Sequence, residues 1–246
     1  MQVKGRRQIM ERKNNTQLLK IMLKRNKNVI IKLLGDSITH GVGGTGWMQD
    51  GDVIIEGVAQ SPNSFCWANL FRDYMKEQYG AIVVNKACSG TNIEFILEHF
   101  SKLVDDSDDI IICTIGTNNR HKHFWQGERP TREAHFKEFY SNIKKLYENL
   151  TEMGKPVIFM ANIPASEENE QDGGDYWRIL HMNDINDAYK QFAKEYNVPM
   201  ISLYDLMSAY CEEKGILIDT LLCDGLHPND EGYRLMFDFI VKALDV

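Results

Sequence analysis

Short apolar runs alternate with amphipathic helical patterns along most of the chain. Five of these runs have the continuous hydrophobicity that is typical of strands covered on both faces. The predicted strands span residues 29–34, 81–85, 110–115, 157–163 and 198–203. Because helical patterns separate these runs, the sequence predicts right-handed crossovers and a parallel sheet with helices on both of its faces.

The helical patterns lie between the predicted strands and after the last one. They span residues 64–79, 91 to about 104, 131 to about 153, 176–196 and 204–214, with a final helix from near Asn229. Thr91 and Glu94 have the spacing of a capping box, and Gly80 and Gly154 suit left-handed helix ends. The sequence therefore predicts an α/β fold, a three-layer αβα sandwich with about five parallel strands.

Composition agrees with one large domain, which we assign to residues 29–246. The chain has 246 residues, of which 43% are hydrophobic and 26% charged, and this composition is globular. Its net charge of −7 argues against nucleic acid as a partner, because phosphate binding needs a basic surface.

Residues 1–28 differ from the rest of the chain, with nine basic side chains and one acidic side chain. We interpret them as a basic leader that runs into a surface helix. No apolar run of signal-peptide or transmembrane length follows, so weak association with a membrane surface is a minor alternative and stable insertion is not expected. The five cysteines are odd in number and lack metal-ligand spacing. With no signal peptide recognised, this pattern predicts a reducing cytoplasm.

Two segments carry candidate chemistry. Gly35, Asp36 and Ser37 follow the first predicted strand, and Asp224 lies three residues before His227 near the end of the chain. A serine becomes a useful nucleophile only when a base accepts its proton and a third group orients that base. Ser37, His227 and Asp224 could supply these three roles, and the order Ser, Asp, His suits a serine hydrolase.

Two further loops could stabilise negative charge. Gly90 follows the second predicted strand and Asn118 the third. A backbone N–H at Gly90 and the side-chain amide of Asn118 could both donate to an oxyanion. Ligands of open α/β sheets bind at the carboxyl ends of the strands. Ser37, Gly90, Asn118 and His227 are therefore expected to converge at one edge of the sheet.

In these blocks the chain resembles the SGNH, or GDSL-type, hydrolase superfamily, whose four signature blocks supply Ser, Gly, Asn and His. The resemblance implies a flavodoxin-like SGNH hydrolase fold, with Ser37 as nucleophile, His227 as base and Asp224 as orienting residue. It also implies an oxyanion hole made of the Ser37 and Gly90 amides and the Asn118 side chain. The chain departs from the family at two places. Asn119 stands where the family commonly has Asp, and Ala87 stands where Gly is frequent.

Other interpretations of nearby residues stay open. Residues 41–46 match G-x-G-x-x-G, although no helix pattern follows as a dinucleotide site requires. His121 and His123 could be two metal ligands, but a third is missing. Trp125 and Trp177 could stack on a sugar or simply pack. We expect Asp36, His121 and Trp125 to border a substrate pocket, and we expect no metal and no organic cofactor.

The sequence thus predicts hydrolysis of acyl esters through a covalent intermediate on Ser37. No long apolar lid is visible, and aromatic, arginine and histidine residues follow Asn118. These features favour a small acyl group, acetyl first, on a carbohydrate or another small polar alcohol. The alternatives are an O-acyltransferase with the same residues, a lipase or arylesterase, and a non-catalytic carbohydrate-binding protein. The oligomeric state is not predicted.

Overall fold

The five predicted strands form one parallel sheet. The structure, a computed structural model, describes residues 15–25, 28–47, 64–121, 130–171 and 178–246. In chain order the strands are β1 (Ile30–Gly35), β2 (Ile82–Asn85), β3 (Ile110–Thr114), β4 (Val157–Ala161) and β5 (Met200–Ser202). Their spatial order is β2-β1-β3-β4-β5, and every neighbouring pair is parallel. This is the flavodoxin-like order of a doubly wound sheet, so the predicted fold class is confirmed.

Helices cover both faces of the sheet. They are α1 (Asn15–Arg25), α2 (Ser37–His40), α3 (Trp67–Tyr79), α4 (Ile93–Glu98), α5 (Phe100–Leu103), α6 (Arg132–Glu152), α7 (Glu167–Glu170), α8 (Met182–Tyr196), α9 (Leu203–Lys214) and α10 (Asp230–Leu244). Two short 3₁₀ turns span Thr117–Arg120 and Ile218–Leu221.

Each face of the sheet has its own hydrophobic layer. Trp67 of α3 and Tyr233 of α10 are fully buried on one face, together with side chains of α1 and α9. Phe139 of α6 and Tyr189 of α8 are buried on the other face, together with side chains of α4. Strands β3 and β4 are buried along their whole length, which explains why their sequences read as unbroken apolar runs.

Two helix predictions are wrong in detail. The predicted helix from residue 91 to about 104 is divided at His99, where φ is −104°. The predicted start of the next long pattern at residue 176 is also too early. Ile179 and Leu180 donate their backbone N–H groups to the carbonyl of Arg120, at 2.6 and 3.0 Å, and α8 begins only at Met182.

The predicted capping box at Thr91 is replaced by another arrangement. Asn92 is the N-cap of α4, and its Oδ1 accepts the Phe95 N–H at 2.9 Å. The carboxylate of Glu94 instead accepts from the side-chain amides of Asn119 and Asn142, at 2.7 and 2.8 Å. Glu94 therefore connects α4 to the loop after β3 and to α6.

Helix α1 packs against the body of the domain. Leu19 and Leu23 are buried in the same hydrophobic layer as α3 and α10. Asn15 donates from its side chain to the Val157 carbonyl at 2.8 Å, where β4 begins, and Lys20 pairs with Asp245. Residues 1–14 of the predicted leader lie outside the described residues. Within the described ranges, no helix combines the length and the apolarity that crossing a bilayer would need.

Candidate active site

The turn that ends β1 presents Ser37. A side chain on Gly35 would lie 2.8 Å from the Thr114 carbonyl and would overlap the side chain of Thr39, so only glycine fits. Asp36 then caps α2, because its Oδ1 accepts the Ile38 N–H at 3.1 Å. Ser37 is the first residue of this helix. Its backbone N–H makes no hydrogen bond to any residue that the structure describes, as expected at a helix N-terminus.

Asp224 and His227 lie in the loop before α10. One carboxylate oxygen of Asp224 accepts the backbone N–H groups of Leu226 and His227, at 3.0 and 2.7 Å. Gly225 has φ of +78°, and its carbonyl accepts the Ser166 N–H at 2.8 Å. The loop is therefore fixed both by its own aspartate and by the segment that follows β4.

The histidine joins the two distant segments. Its Nδ1 lies 2.6 Å from Asp224 Oδ2, and its Nε2 lies 2.8 Å from Ser37 Oγ. With Nδ1–H donating to the carboxylate, Nε2 is left as an acceptor for the serine hydroxyl. The three residues that the sequence singled out as nucleophile, base and orienter thus form one hydrogen-bonded chain with the geometry of a catalytic triad.

Asp224 is suited to remain ionised. Partial burial alone would raise its pKa, but hydrogen bonds from the amide and ring of His227, the charge of that ring and the Leu226 amide together lower the pKa of Asp224 below its usual value. An ionised carboxylate at Nδ1 fixes the ring tautomer and stabilises an imidazolium once the serine proton has moved.

The predicted oxyanion donors lie on loops at this edge of the sheet. Gly90 has φ of +80° and is exposed, and nothing would contact a side chain added there. Among the described residues its N–H finds no acceptor. Asn118 is half-buried, and its Nδ2 donates one hydrogen to the Thr91 carbonyl at 2.8 Å. The second hydrogen of this amide remains for another acceptor.

Asp36 does not line a pocket, so that prediction is wrong. Its side chain is fully buried, and Oδ2 accepts from Asn162 Nδ2 at 3.1 Å. Burial raises the pKa of Asp36 despite hydrogen bonds from Thr117 and from the Ile38 amide. The physical reason is position, since the carboxyl group caps α2 and lies against Asn162 and Thr117, which follow β4 and β3.

The other predicted pocket residues give a partial picture. His121 is half-buried, and its backbone forms an isolated antiparallel bridge with Arg178. Trp125, Trp177 and His123 lie outside the described residues. The pocket interpretation of His121 and Trp125 therefore stays a prediction.

The glycine-rich loop at residues 41–46 supports the histidine. Helix α2 ends at His40, and its C-cap Gly41 has φ of +105°. Residues 41–47, the described part of the chain that follows, contain turns and no helix that could cradle a dinucleotide. A side chain on Gly43 would lie 2.8 Å from Cys223 Sγ and 3.1 Å from His227 Cβ. The Val42 carbonyl also accepts the Tyr233 hydroxyl at 2.6 Å. This loop packs against the segment that carries His227.

Sequence reasoning missed the buried polar residue Asn162 and did not anticipate that Arg120 is buried. Asn162 follows β4 and donates to Asp36 and to Thr117 Oγ1, at 3.1 and 2.7 Å. Arg120 is almost fully buried, and its guanidinium donates to the Thr117 carbonyl and to Asn169 Oδ1, each at 3.1 Å. The position of Asn162 directly after a buried strand is a signal that could have found it, whereas nothing in the sequence marks Arg120 as buried.

The departure at Asn119 has a structural explanation. Its Oδ1 accepts the Ile93 N–H at 3.0 Å, and its Nδ2 donates to Glu94 at 2.7 Å. The amide therefore uses both a donor and an acceptor at the start of α4. An aspartate could satisfy Ile93 but would oppose the Glu94 carboxylate.

Two known proteins are similar in sequence to most of this chain. The isoamyl acetate-hydrolyzing esterase of Saccharomyces cerevisiae is 23% identical over 223 residues, which cover 87% of this chain and 84% of that protein. The uncharacterized protein YpmR of Bacillus subtilis is 25% identical over 238 residues, covering 90% and 83% of the two chains.

Solved structures share the fold. The acetylxylan esterase Axe2 from Geobacillus stearothermophilus superposes with a TM-score of 0.63 at 19% identity, covering 90% of this chain and 96% of that one. A lipase/acylhydrolase from Enterococcus faecalis gives 0.62 at 22% identity, with 87% and 94% covered. The model of the GDSL-like lipase/acylhydrolase family matches residues 33–235. That range contains the serine turn, both proposed oxyanion loops and the histidine loop, and the chain belongs to this family.

Proposed function

We propose that the protein hydrolyses small acyl esters, acetyl esters first, of a carbohydrate or another small polar alcohol. Its family makes it a carboxylic ester hydrolase. We propose in addition that Ser37, His227 and Asp224 carry out the reaction. The hydrogen-bonded chain from Asp224 through His227 to Ser37 carries this proposal. No other arrangement of the described residues combines a serine, a base and an orienting carboxylate in this way.

In the proposed mechanism Ser37 Oγ attacks the ester carbonyl while His227 Nε2 takes its proton. The Ser37 and Gly90 amides and the free Asn118 amide hydrogen hold the negative oxygen of the tetrahedral intermediate. His227 then gives its proton to the departing alkoxide, which leaves an acyl-serine. Water, activated by His227, attacks that ester and releases the acid and the free serine.

Replacement of the serine tests this function. We expect Ser37→Ala to lower kcat by about 10⁴-fold or more, because no nucleophile remains to form the acyl-enzyme. The measurement is acetate release from an activated acetyl ester, together with mass spectrometry after a fluorophosphonate probe. Labelling should map to Ser37 in the wild-type protein.

Ser101→Ala is the control, since Ser101 is an exposed serine on α5, outside the candidate active site. It should keep wild-type activity and labelling. Substantial turnover by folded Ser37→Ala, or an adduct on another residue, would overturn the assignment.

The acyl group and the alcohol need a separate test. Support for a small acyl group comes from the similarity to the yeast esterase, whose name specifies isoamyl acetate, and from the sequence prediction that His121 and Trp125 border the pocket. The arginine after Asn118, Arg120, is buried and adds no support. A series from acetyl to octanoyl esters should give the highest kcat/KM for acetyl. A higher value for octanoyl would favour a lipase, and an acylated sugar formed in place of free acid would favour a transferase.

The proposed cellular location rests on the cysteines. All five are present as free thiols, and Cys66 and Cys113 are buried in the hydrophobic layers. Unpaired buried thiols agree with the predicted reducing cytoplasm. Fractionation of cells that express the full chain would test it, and recovery from the extracellular medium would contradict it.

A further inference from the structure

We propose that His40 is a positioning residue for the oxyanion hole, because its ring holds the loop that carries the Gly90 amide. The inference rests on the proposed function of that amide. His40 is the last residue of α2, the short helix that begins with Ser37. One helical turn thus connects the candidate nucleophile to the support of a second oxyanion donor.

The contact is specific. His40 is buried, with 6% of its surface exposed, and its Nδ1 accepts the backbone N–H of Ser89 at 3.3 Å. Ser89 directly precedes Gly90. The ring also meets Trp47 edge-on, with 6.3 Å between the ring centroids and an angle of 82° between the planes. The ring is therefore confined, and its acceptor nitrogen points at the loop.

Other tethers fix the earlier part of the same loop. Asn85 donates from its side chain to the Thr39 carbonyl at 2.9 Å and accepts the Ala87 N–H at 2.9 Å. The Cys88 N–H donates to the Gly35 carbonyl at 3.1 Å. These bonds clamp residues 85–88 to the turn that presents Ser37.

The next hydrogen bond along the loop is the one from the Ser89 N–H to His40, and Ser89 directly precedes Gly90, the proposed donor. Gly90 itself is exposed, and a side chain added there would meet nothing within 4 Å, so packing on that side does not hold it. Thr91 is tied back by its N–H to the Cys88 carbonyl at 3.2 Å and by Asn118 on its own carbonyl. The direction of the Gly90 N–H therefore depends on the bonds of its two neighbours, and His40 supplies the one on the nucleophile side.

The ring must be neutral for this role. An Nδ1 that accepts from a backbone N–H carries no proton, which leaves the hydrogen on Nε2. Burial agrees with this state, because it lowers the pKa of His40 below its usual value. No proton transfer is assigned to His40, which acts on the reaction only through the position of the loop.

Loss of this bond should affect the transition state more than substrate binding. The negative oxygen exists only after attack, so a displaced Gly90 amide weakens an interaction that the bound ester does not yet make. An error of about 1 Å in such a donor can lower the rate by about 10²-fold. The expected signature is a lower kcat with a nearly unchanged KM.

The test compares three histidine variants on the same acetyl ester. His40→Leu should lower kcat by about 10- to 100-fold and leave KM within about twofold. His40→Asn should retain most of the activity, because the Asn Oδ1 occupies the place of Nδ1 and also accepts. His99→Leu is the matched control: His99 is half-buried and also bonds a backbone group, the Phe95 carbonyl at 3.1 Å. It should be active.

Binding of an inhibitor that forms a tetrahedral adduct distinguishes a positioning role of His40 from a role in stability alone, which would leave this affinity unchanged. The affinity for a trifluoromethyl ketone, which forms an oxyanion on the serine, should fall in His40→Leu by the same factor as kcat. Full kcat in His40→Leu, or His40→Asn as poor as His40→Leu, would overturn the proposal. Failure of the proposed function would look different from failure of the His40 proposal. In that case the wild-type protein would show no ester turnover, or folded Ser37→Ala would retain it.

A second measurement is made on the wild-type protein and does not depend on the activity of any variant. Nitrogen-15 NMR of histidine-labelled wild-type protein, with the His40 signals assigned from His40→Asn, reports the tautomer directly. Protonated Nε2 and an unprotonated, hydrogen-bonded Nδ1 are expected. Protonation at Nδ1 near neutral pH would exclude the bond to Ser89 and overturn the proposal.

Discussion

The side-chain amide of Asn118 has one observed partner and one proposed partner. One of its hydrogens is bonded to the Thr91 carbonyl, which fixes the orientation of the amide plane. The other is proposed to meet the oxyanion. The bond to Thr91 also ties Asn118 to the loop of Gly90, so two of the proposed donors are held in register by a single contact.

Removal of this donor should slow the chemical step. We expect Asn118→Ala to lower kcat by about 10²- to 10³-fold, the usual effect of deleting one oxyanion donor, with a much smaller change in KM. Initial rates on an acetyl ester measure this. Asn118→Asp is the isosteric comparison and should be at least as slow, because an ionised carboxylate repels the oxyanion. Full activity in both variants would contradict the role.

Asp36, next to the candidate nucleophile, has a structural role. It is buried, caps α2 and accepts from Asn162. Asn162 also donates to Thr117, so the carboxyl group links the ends of β1, β3 and β4. It thereby contributes to the placement of Ser37 without facing the reaction.

The raised pKa of Asp36 gives a pH dependence of stability with a definite sign. In the unfolded chain this carboxyl has its ordinary value of 3.8, and burial raises its pKa in the folded protein. The folded state binds the proton more tightly, so the contribution is present below the unfolded value and is lost as the pH rises through the folded value. The free energy of unfolding of wild type minus that of Asp36→Asn should therefore fall with rising pH and then level off.

Urea unfolding at a series of pH values from about 4 upward, close to the unfolded value of this carboxyl, measures this difference. Circular dichroism before unfolding serves as the control that both proteins are folded at each pH. A difference that increases with pH would show that the folded protein stabilises the ionised carboxylate, and would contradict the direction stated here.

At the scale of secondary-structure elements, helix α1 contributes to the stability of the fold and lies away from the candidate active site. Leu19 is fully buried between α1 and the rest of its layer, and Asn15 bonds the start of β4. Ser37 and Asn162, by contrast, follow the carboxyl ends of β1 and β4. The helix is therefore fixed at the opposite edge of the sheet from the candidate active site.

Leu19→Ala should destabilise the protein by about 2–5 kcal/mol through the cavity that it leaves, and kcat/KM at a temperature well below unfolding should stay at the wild-type value. Chemical denaturation and ester turnover are the two measurements. Lys24→Ala, at an exposed position of the same helix, should change stability by less than about 0.5 kcal/mol. A large loss of kcat/KM in folded Leu19→Ala would contradict the separation.

Element boundaries show what sequence patterns predict well. All five strands lie within their predicted ranges or extend them by one residue, because a strand buried on both faces needs apolar side chains throughout. The predicted start of α8 is misplaced because bonds to Arg120 hold Ile179 and Leu180 in an extended segment. Such bonds join residues far apart in sequence and leave no local pattern.

At the scale of the whole molecule, parallel strands explain why the candidate site is predictable. Each strand delivers the residue after it to the same edge, so the order of strands and loops along the chain is enough to group Ser37, Gly90 and Asn118. His227 lies within hydrogen-bonding distance of both Ser37 and Asp224, and so connects the two segments in the structure.

The supporting residues of the site are harder to predict. The contacts of Asp36 with Asn162, of Arg120 with Asn169, and of Gly43 with the His227 loop depend on which loops are neighbours in space. Sequence alone orders the strands along the chain and does not order them across the sheet. The side chains that hold the site in place therefore emerge only from the fold.

The bond between Asn119 and Glu94 constrains how this chain and its relatives diverge. An aspartate at position 119 would place two carboxylates within hydrogen-bonding distance at a largely buried position. An acidic residue at position 119 is therefore compatible with the fold only if Glu94 is replaced as well. Relatives that carry an acid at the position of Asn119 should carry a neutral or basic side chain at the position of Glu94, so the two positions should change together over evolution.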